Sequence, residues 1–280
     1  MIDWEAMSGP DRLVLVARVA ACSPIEGGIR LRARPVTSSA TMAPEISVVV
    51  PVFDEEGNVA SLAREIARAF DSQAYEMIFV DDASRDGTLQ ALMALKAELP
   101  ALRVLAHRNN AGQSRALRSG AEAARGAILV TLDGDGQNDP ADAPRLVARL
   151  KAGGQGLGLV GGLRLKRQDS WSKKLGSKIG NGVRRRLLRD DALDTGCGLK
   201  VVWREVYLRF PYFDHMHRFL PALAKREGLK TDFVPVSHRA RASGQSKYTN
   251  WKRLKASLGD LIGVVWLLGR ARLPGEVQEP

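Results

Sequence analysis

Short apolar runs alternate with longer amphipathic segments from residue 45 onward. The short runs are rich in β-branched residues and end at glycine or polar residues, which is typical of buried strands. Repeated alternation of this kind predicts βα units around a mostly parallel sheet, and therefore an α/β fold. The predicted strands are 46–50, 76–80, 103–106, 128–132, 157–161 and 231–236, and the predicted helices are 58–70, 87–99, 113–124, 141–152 and one around 218–226.

Two later segments combine a helical apolar stripe with many cations. Residues 164–191 contain ten Lys and Arg against three Asp, and apolar residues recur at every fourth position from Trp171 to Leu187. Packing on the core and binding at a membrane interface both stay open for this segment. Residues 250–270 repeat the pattern, with Trp251 beside a cluster of cations. A tryptophan-containing apolar face next to cations favours the interface of an anionic bilayer over ordinary packing, which is the alternative.

The chain is expected to divide into three parts. Residues 1–41 mix Arg, Pro, Gly and Ser without a clear period, which predicts a disordered tail or a non-native extension from an upstream start codon. The main domain is placed at 42–248, with one half ending near residue 162, and an amphipathic helix and tail follow at 249–280. No apolar run reaches the roughly 18 to 20 residues that cross a bilayer, so no transmembrane helix is predicted.

Composition limits the class of partner. The chain has 280 residues, a formal net charge of +11 and a pI near 10.0, which indicates an anionic partner such as nucleic acid, phospholipid or a phosphorylated substrate. The two cysteines, Cys22 and Cys197, lie far apart without metal-ligand spacing, so neither a disulfide scaffold nor a zinc site is expected. Such sparse use of cysteine is typical of a protein in a reducing compartment.

Two aspartates one residue apart follow the predicted strand at 128–132. Asp133 and Asp135 stand in a glycine-interrupted turn, with the amide oxygen of Gln137 nearby. Hard cations such as Mg²⁺ or Mn²⁺ take oxygen ligands and keep waters and substrate phosphates in their other positions. A solvated Asp-Gly turn without a ligand is the alternative, and this motif alone does not decide between them.

Carboxylates also follow two other predicted strands. Asp54 and Glu55 come after the first strand, and Asp82 follows the second. Because a parallel sheet brings the carboxyl ends of its strands to one edge, all of these carboxylates are expected to meet the Asp133 turn there. The meeting of these carboxylates at one edge indicates a single ligand site rather than three turns without a shared function.

Several ordered motifs give the chain a family resemblance. They are ISVVVPVFDEE at 46–56, FVDDASRDGT at 79–88, NNAGQSRALRSG at 109–120, LDGDGQNDP at 132–140 and RASGQSKY at 241–248. Over about residues 45–270 the chain resembles inverting glycosyltransferases of family 2, and specifically their polyprenyl-phosphate, dolichol-phosphate mannose synthase-like branch. The resemblance implies a GT-A, Rossmann-like fold, with a nucleotide-sugar half to about residue 162 and an acceptor half after it. The second motif has Ala83 where the family more often has glycine.

Site residues follow from the resemblance. It implies a metal held by Asp133 and Asp135 with help from Gln137, bridging the donor diphosphate. Asp135 is also counted among the catalytic residues, and Asp194 in DTGCGLK is the candidate base, with a turn cap as its alternative. The remaining implied residues line the nucleotide pocket (Pro51, Phe53, Glu55, Val80 and Asp82) or contact donor or acceptor phosphates (Arg164, Arg218, Arg241 and Lys247). Packing or surface roles are expected for the four histidines, His107, His215, His217 and His238.

The implied reaction moves a hexosyl group from a nucleotide sugar, of the GDP-mannose or UDP-glucose/GlcNAc type, to a polyprenyl phosphate. The alternatives are a family 2 enzyme with a saccharide acceptor, which would need a true base, and a basic nucleic-acid-binding module. No recognition motif accompanies the charge, so no nucleic-acid partner is expected. Many relatives carry transmembrane helices after the catalytic domain, whereas this chain stops at Pro280. We therefore expect a peripheral protein on the cytoplasmic face of an anionic membrane, with a separate membrane partner as a further candidate.

Overall fold

A computed structural model describes residues 43–154, 156–164, 187–188, 192, 194–239 and 250–272, with the side chains of the last segment described from residue 259. Three expectations lie outside these residues: the nature of the extension at 1–41, most of the basic helix predicted around 171–188, and the roles of Arg241 and Lys247.

The described residues form one seven-stranded sheet with the strand order β3-β2-β1-β4-β6-β5-β7. Neighbouring strands are parallel except where β6 pairs with β4 and with β5. The mostly parallel α/β sheet predicted from the sequence is therefore confirmed. The strands are β1 (Ile46–Val52), β2 (Tyr75–Asp81), β3 (Leu102–Ala106), β4 (Ile128–Thr131), β5 (Leu157–Arg164), β6 (Lys200–Trp203) and β7 (Lys230–Val236).

The strand β6 was not predicted. It has four residues, begins with a lysine and is followed at once by a helix, so it carries no recognisable strand period. It enters antiparallel between β4 and β5, with Lys200 opposite Thr131 on one side and Gly161 on the other. The sheet therefore continues past residue 162 into the later part of the chain.

Seven α-helices have both ends within the described residues. They are α1 (Glu56–Ala69), α2 (Thr88–Leu95), α3 (Gln113–Ala123), α4 (Ala143–Ala152), α5 (Arg204–Arg209), α6 (Leu220–Arg226) and α7 (Asn250–Gly269), with short 3-10 turns at Pro140–Asp142 and Met216–Arg218. The sequence pattern missed α5, which has six residues, and extended the helix at 87–99 beyond its observed end. Among the described residues, no helix combines the length and apolarity needed to cross a membrane.

Hydrophobic clusters cover both faces of the sheet, because successive side chains of a strand point to opposite sides. Val48 and Val50 of β1 belong to a cluster with α1, whereas Val49 belongs to a second cluster with α3. The close approach of α3 requires Gly120, where an added Cβ would collide with Val49. Both faces of β1 are thus buried, which explains its continuous apolar run.

Candidate active site

A cleft of about 770 Å³ opens at the carboxyl ends of β1, β2 and β4. Parallel pairing aligns these ends, with Val52 opposite Asp81 and Val49 opposite Thr131. The lining is rich in charged and polar groups, as expected of a site for an anionic or polar ligand. Its residues are Pro51, Val52, Phe53, Glu55, Asp82, Arg85, Asn110, Gly112, Gln113, Asp133, Gly134, Asp135, Thr195, Gly196, Cys197, Gly198, Lys200, His217 and Arg218.

The turn after β4 places Asp133 and Asp135 in this cleft. Gly134 lies so close to β1 that a Cβ would stand 2.8 Å from the Pro51 carbonyl oxygen, which explains the glycine between the two aspartates. Asp133 Oδ1 accepts a 2.8 Å hydrogen bond from Gln113 Nε2. Asp135 Oδ1 accepts a 3.2 Å bond from the backbone N–H of Gln137. Both carboxylates are therefore held in position by the protein.

The donor set of this turn fits Mg²⁺ or Mn²⁺. The pKa of the Asp133 carboxyl is raised, first by burial and then by the nearby charge of Asp135, so a cation between the two would relieve an unfavourable arrangement. Among the described residues, no three His, Cys, Asp or Glu side chains form a metal-binding group. Two carboxylates suit an ion that completes its shell with water and substrate phosphates.

Gln137 contacts the aspartate turn through its backbone. Its backbone N–H binds Asp135, and its carbonyl oxygen accepts from the backbone of Arg239 at 3.0 Å. The residue is not part of the cleft lining, whereas both aspartates are. Gln137 therefore supports the turn through its backbone, and a role as metal ligand stays a prediction.

Asp82 organises the loop that leads into α3. Its carboxylate accepts hydrogen bonds from His107 Nδ1 at 2.7 Å and from the backbone N–H groups of Ala111 and Gly112 at 2.9 and 2.8 Å. Gly112 has a φ of +86°, a conformation that glycine adopts without strain. Most of the acceptor capacity of Asp82 is thus taken by the protein. The structure favours a loop-positioning role over the expected contact with a nucleotide base.

The other residues expected in the nucleotide pocket fall into two groups. Pro51, Phe53 and Glu55 line the cleft, as the resemblance implies. Val80 does not line it, because its fully buried side chain belongs to the hydrophobic cluster under α3. Val80 pairs with Pro51 and shares its face of the sheet, but α3 covers it there, since a Cβ added at Gly120 of that helix would lie 3.2 Å from Val80 Cγ2. The side chain of Val80 thus lies outside the cleft, and its contact with a nucleotide stays a prediction.

Arg164 and Asp194 bind each other. The guanidinium donates to both carboxylate oxygens at 2.7 and 2.8 Å, and the two side chains are only 11% and 6% exposed. The backbone N–H of Gly196 also donates to this carboxylate, at 3.2 Å. A carboxylate held by a bidentate guanidinium and a backbone donor is poorly suited to accept a proton. The structure therefore favours the turn-stabilising alternative for Asp194 over a base.

Three residues that line the cleft beside the aspartate turn were not predicted from the sequence. Gln113 begins α3, Lys200 begins β6 and His217 lies in the 3-10 turn before α6. Arg218, which was expected near substrate phosphates, lies in the lining with them. Only the helix N-terminus at Gln113 was visible in the sequence. The other two positions depend on the unpredicted strand and on a contact across 103 residues.

Gly198 allows the loop at 194–199 to pass directly over Asp133. A Cβ at this position would collide with the Asp133 carboxylate, while the Gly198 carbonyl oxygen is fixed by a 2.7 Å hydrogen bond from Thr131 Oγ1. Gly198→Ala is therefore expected to displace the carboxylate and weaken Mn²⁺ binding about tenfold to a hundredfold, the usual range for disturbed metal-site support. Calorimetric titration with Mn²⁺ measures the effect. Gly156→Ala is the control, because nothing lies within 4 Å of its added Cβ; equal losses in both variants would contradict the assignment.

Comparisons with known proteins agree with this geometry. The sequence profile described as Glycosyl transferase family 2 matches residues 47–210. The dodecaprenyl-phosphate galacturonate synthase of Rhizobium johnstonii is 34% identical over 245 residues, which cover 85% of this chain and 72% of that protein. An undecaprenyl-phosphate 4-deoxy-4-formamido-L-arabinose transferase of Aeromonas hydrophila is 36% identical over 206 residues, covering 72% of this chain but only 62% of the relative. The chain thus spans less than two thirds of the length of this second relative.

Solved structures share the same fold. Glucosyl-3-phosphoglycerate synthase from Mycobacterium tuberculosis, in complex with Mn²⁺, uridine diphosphate and phosphoglyceric acid, superposes with a TM-score of 0.63 at 23% identity, covering 83% of this chain and 81% of that one. A complex of the same enzyme with Mg²⁺ and uridine diphosphate gives a TM-score of 0.61. The predicted GT-A fold is confirmed. From the family profile, the relatives and the carboxylate cleft, we conclude that the chain belongs to glycosyl transferase family 2 and is a glycosyltransferase.

Proposed function

We propose that the protein transfers a sugar from a nucleotide sugar to a polyprenyl phosphate, with inversion at the anomeric carbon. The observation that carries the proposal is the pairing, in one cleft, of the Asp133 and Asp135 turn with the cations Lys200 and Arg218. The two carboxylates can bind a divalent metal ion, and the ammonium of Lys200 and the guanidinium of Arg218 can bind phosphate oxygens. Relatives that act on dodecaprenyl or undecaprenyl phosphate support this choice of acceptor.

In this proposal the two halves of the cleft have different tasks. The wall at Pro51, Phe53 and Glu55 receives the nucleoside, and the Asp133 turn receives the diphosphate. A bound Mg²⁺ or Mn²⁺ would be held by Asp133 and Asp135 and would neutralise charge on the departing diphosphate as a Lewis acid. The protein itself orients these carboxylates through Gln113 and the backbone of Gln137.

The state of Asp194 favours a phosphate acceptor over a sugar hydroxyl. A phosphate monoester has a second pKa of about 6 and is already a charged nucleophile at neutral pH. A saccharide hydroxyl would need a base, and the candidate base Asp194 is bound to Arg164 by two hydrogen bonds. Transfer to a lipid phosphate can instead depend on positioning and electrostatics.

A radiolabel transfer assay tests the proposal. Purified protein is mixed with undecaprenyl phosphate, Mn²⁺ and, in turn, GDP-mannose, UDP-glucose, UDP-GlcNAc and UDP-galacturonate. Label that moves into the lipid extract with one of these donors is the expected result, and it also identifies the sugar. Transfer to a saccharide acceptor with none to the lipid would replace the proposal by the saccharide alternative.

We further propose that α7 holds the protein on the cytoplasmic face of an anionic membrane. Leu261, Val264 and Leu268 face a small hydrophobic cluster, so one side of the helix is used for packing. The apolar side chains of Ile262 and Trp266 point outward and are 71% and 61% exposed. An exposed apolar stripe on a helix with basic residues suits the headgroup region of a bilayer.

Changing this stripe is expected to weaken membrane binding. Ile262→Ser combined with Trp266→Ser removes two side chains, each worth about 1.5–3 kcal/mol when fully buried, so at partial insertion we expect about tenfold to a hundredfold weaker binding. Sedimentation with vesicles containing anionic phospholipid measures it. Met93→Ser on α2 is the control, because Met93 is also exposed, at 52%. Unchanged sedimentation of the double variant would exclude this face and favour a separate membrane partner.

A further inference from the structure

The wall of the cleft beside the metal-binding turn contains His217, to which the reaction above assigns no task, and Lys200, for which it names no particular phosphate. Lys200 and His217 both line the cleft, and together with Gln113 and Asp133 they also line a small adjoining hollow. They come from β6 and from the 3-10 turn before α6, elements that are distant in the sequence. Their juxtaposition is therefore produced by the fold.

His217 is fixed so that one ring nitrogen is available to the cleft. Its Nδ1 lies 2.8 Å from Ser114 Oγ, and the same hydroxyl oxygen accepts from the His217 backbone N–H at 3.3 Å. Ser114 is fully buried at the start of α3, so this anchor is rigid. No described residue forms a hydrogen bond with Nε2, which leaves that nitrogen for a ligand.

Lys200 presents an ammonium group with donors to spare. The residue is 3% exposed, and its Nζ donates to the Cys197 carbonyl oxygen. Burial lowers the pKa of the Lys200 ammonium, and the nearby charges of Asp133 and Asp194 partly offset this effect. An ammonium has three N–H donors, and a buried cation is stable only where its donors and charge are satisfied. A ligand oxygen in the cleft would accept a hydrogen bond from an N–H donor of Lys200 for which no described residue provides an acceptor.

The chemistry of this wall selects an anion. Burial, followed by the charges of Lys200 and Arg218, keeps the pKa of the His217 imidazole well below its ordinary value. A neutral imidazole beside two cations can donate one hydrogen bond without adding a further positive charge. Phosphate oxygens match this combination of one neutral donor and two cationic donors.

We propose that Lys200, His217 and Arg218 form a phosphate-binding subsite in which Lys200 and His217 bind the oxygens of one substrate phosphate group directly. The inference rests on the proposed function, because that function supplies two phosphate-bearing substrates. The phosphate belongs either to the donor diphosphate or to the lipid acceptor, and the two sources share the chemistry described above.

Binding and kinetics of full-length variants separate the two sources. Lys200→Met removes the charge at nearly constant length, and His217→Gln keeps an N–H donor that His217→Ala removes. In the first arm, calorimetry measures the Kd of UDP and GDP with Mg²⁺, using uridine and guanosine as phosphate-free probes. In the second arm, the KM of farnesyl phosphate is measured at saturating donor. Lys151→Met is the matched control, because Lys151 is exposed and pairs with Glu45 at the opposite end of β1.

The expected loss for Lys200→Met is about tenfold to a hundredfold in the affected constant, the range for a charge-assisted hydrogen bond. A change in nucleotide Kd, with nucleoside binding unaltered, assigns the subsite to the donor; a change in the KM of farnesyl phosphate alone assigns it to the acceptor. His217→Ala should lose more than His217→Gln in the same constant. If Lys200→Met does not fold by circular dichroism, the His217 pair decides the question.

Constants within about twofold of the wild type in both arms would overturn the subsite, since even a neutral hydrogen bond contributes more than this. Failure of the wild type to bind either ligand would overturn it as well. Failure of the proposed function has a different signature, namely no lipid-linked sugar from the wild type despite nucleotide binding that depends on Lys200.

Discussion

Replacing Asp133 by asparagine is expected to lower the rate of sugar transfer by about a thousandfold, because a catalytic metal contributes several kcal/mol of charge stabilisation. The carboxylate lies at the floor of the cleft, and Gln113 fixes one of its oxygens at 2.8 Å. The asparagine side chain has the same shape but lacks the charge, so metal binding should be lost while the fold is kept. Asp135→Ala is expected to give a loss of similar size.

The transfer assay with varied Mn²⁺ concentration measures this loss, and thermal unfolding confirms that the variant is folded. Asp139→Asn is the control within the same turn. Asp139 lies outside the cleft lining, where its side chain accepts from the backbone N–H of Ala141 and pairs with Arg239. It should transfer sugar at close to the wild-type rate. Normal turnover of Asp133→Asn at low Mn²⁺ would remove the metal assignment.

The carboxylate edge of the site could be predicted because it depends on local sequence and on one rule of sheet geometry. Short apolar runs identified β1, β2 and β4, and parallel pairing then brought their ends together. Asp82 and the Asp133 turn follow two of these strands, so their meeting needed no knowledge of distant contacts. The burial of Val80 could not be predicted at the same edge, because it depends on the close packing of α3 over β2.

The cationic wall could not be predicted in the same way. Lys200 enters the cleft only because the four-residue strand β6 inserts between β4 and β5. His217 is positioned by Ser114 from 103 residues away, and His107 by Asp82 from 25 residues away. None of these partners carries a spacing signal in the sequence. Their identification requires the tertiary structure.

The helix α7 contacts the same wall from outside. His215 adopts a left-handed conformation with a φ of 61°, unusual for a residue with a side chain, and its Nδ1 lies 3.0 Å from Asp260 Oδ2 on α7. Phe219, just beyond Arg218, packs in the cluster that contains Val264 of the same helix. The proposed membrane helix is thus attached directly to the segment that carries His217 and Arg218, which places the cleft close to the surface where a lipid acceptor would be found.

Loss of the Asp194 carboxylate is expected to destabilise the protein by about 3–5 kcal/mol, the usual cost of leaving one partner of a buried ion pair alone. In Asp194→Ala the Arg164 guanidinium stays mostly buried, at 11% exposure, without the carboxylate that accepts its two hydrogen bonds. Urea denaturation of the wild type and the variant measures the change in the free energy of unfolding.

The double variant Arg164→Met with Asp194→Ala provides the decisive comparison. Removing both charges also removes the unpaired cation, so the double variant should be more stable than Asp194→Ala alone and less affected than the sum of the two single changes. This non-additive effect of the two changes is expected if the Asp194 carboxylate acts by holding Arg164 and the loop at Gly196, whose backbone N–H donates to it. An Asp194→Ala variant that unfolds at the wild-type urea concentration but no longer transfers sugar would instead restore the carboxylate as a candidate base.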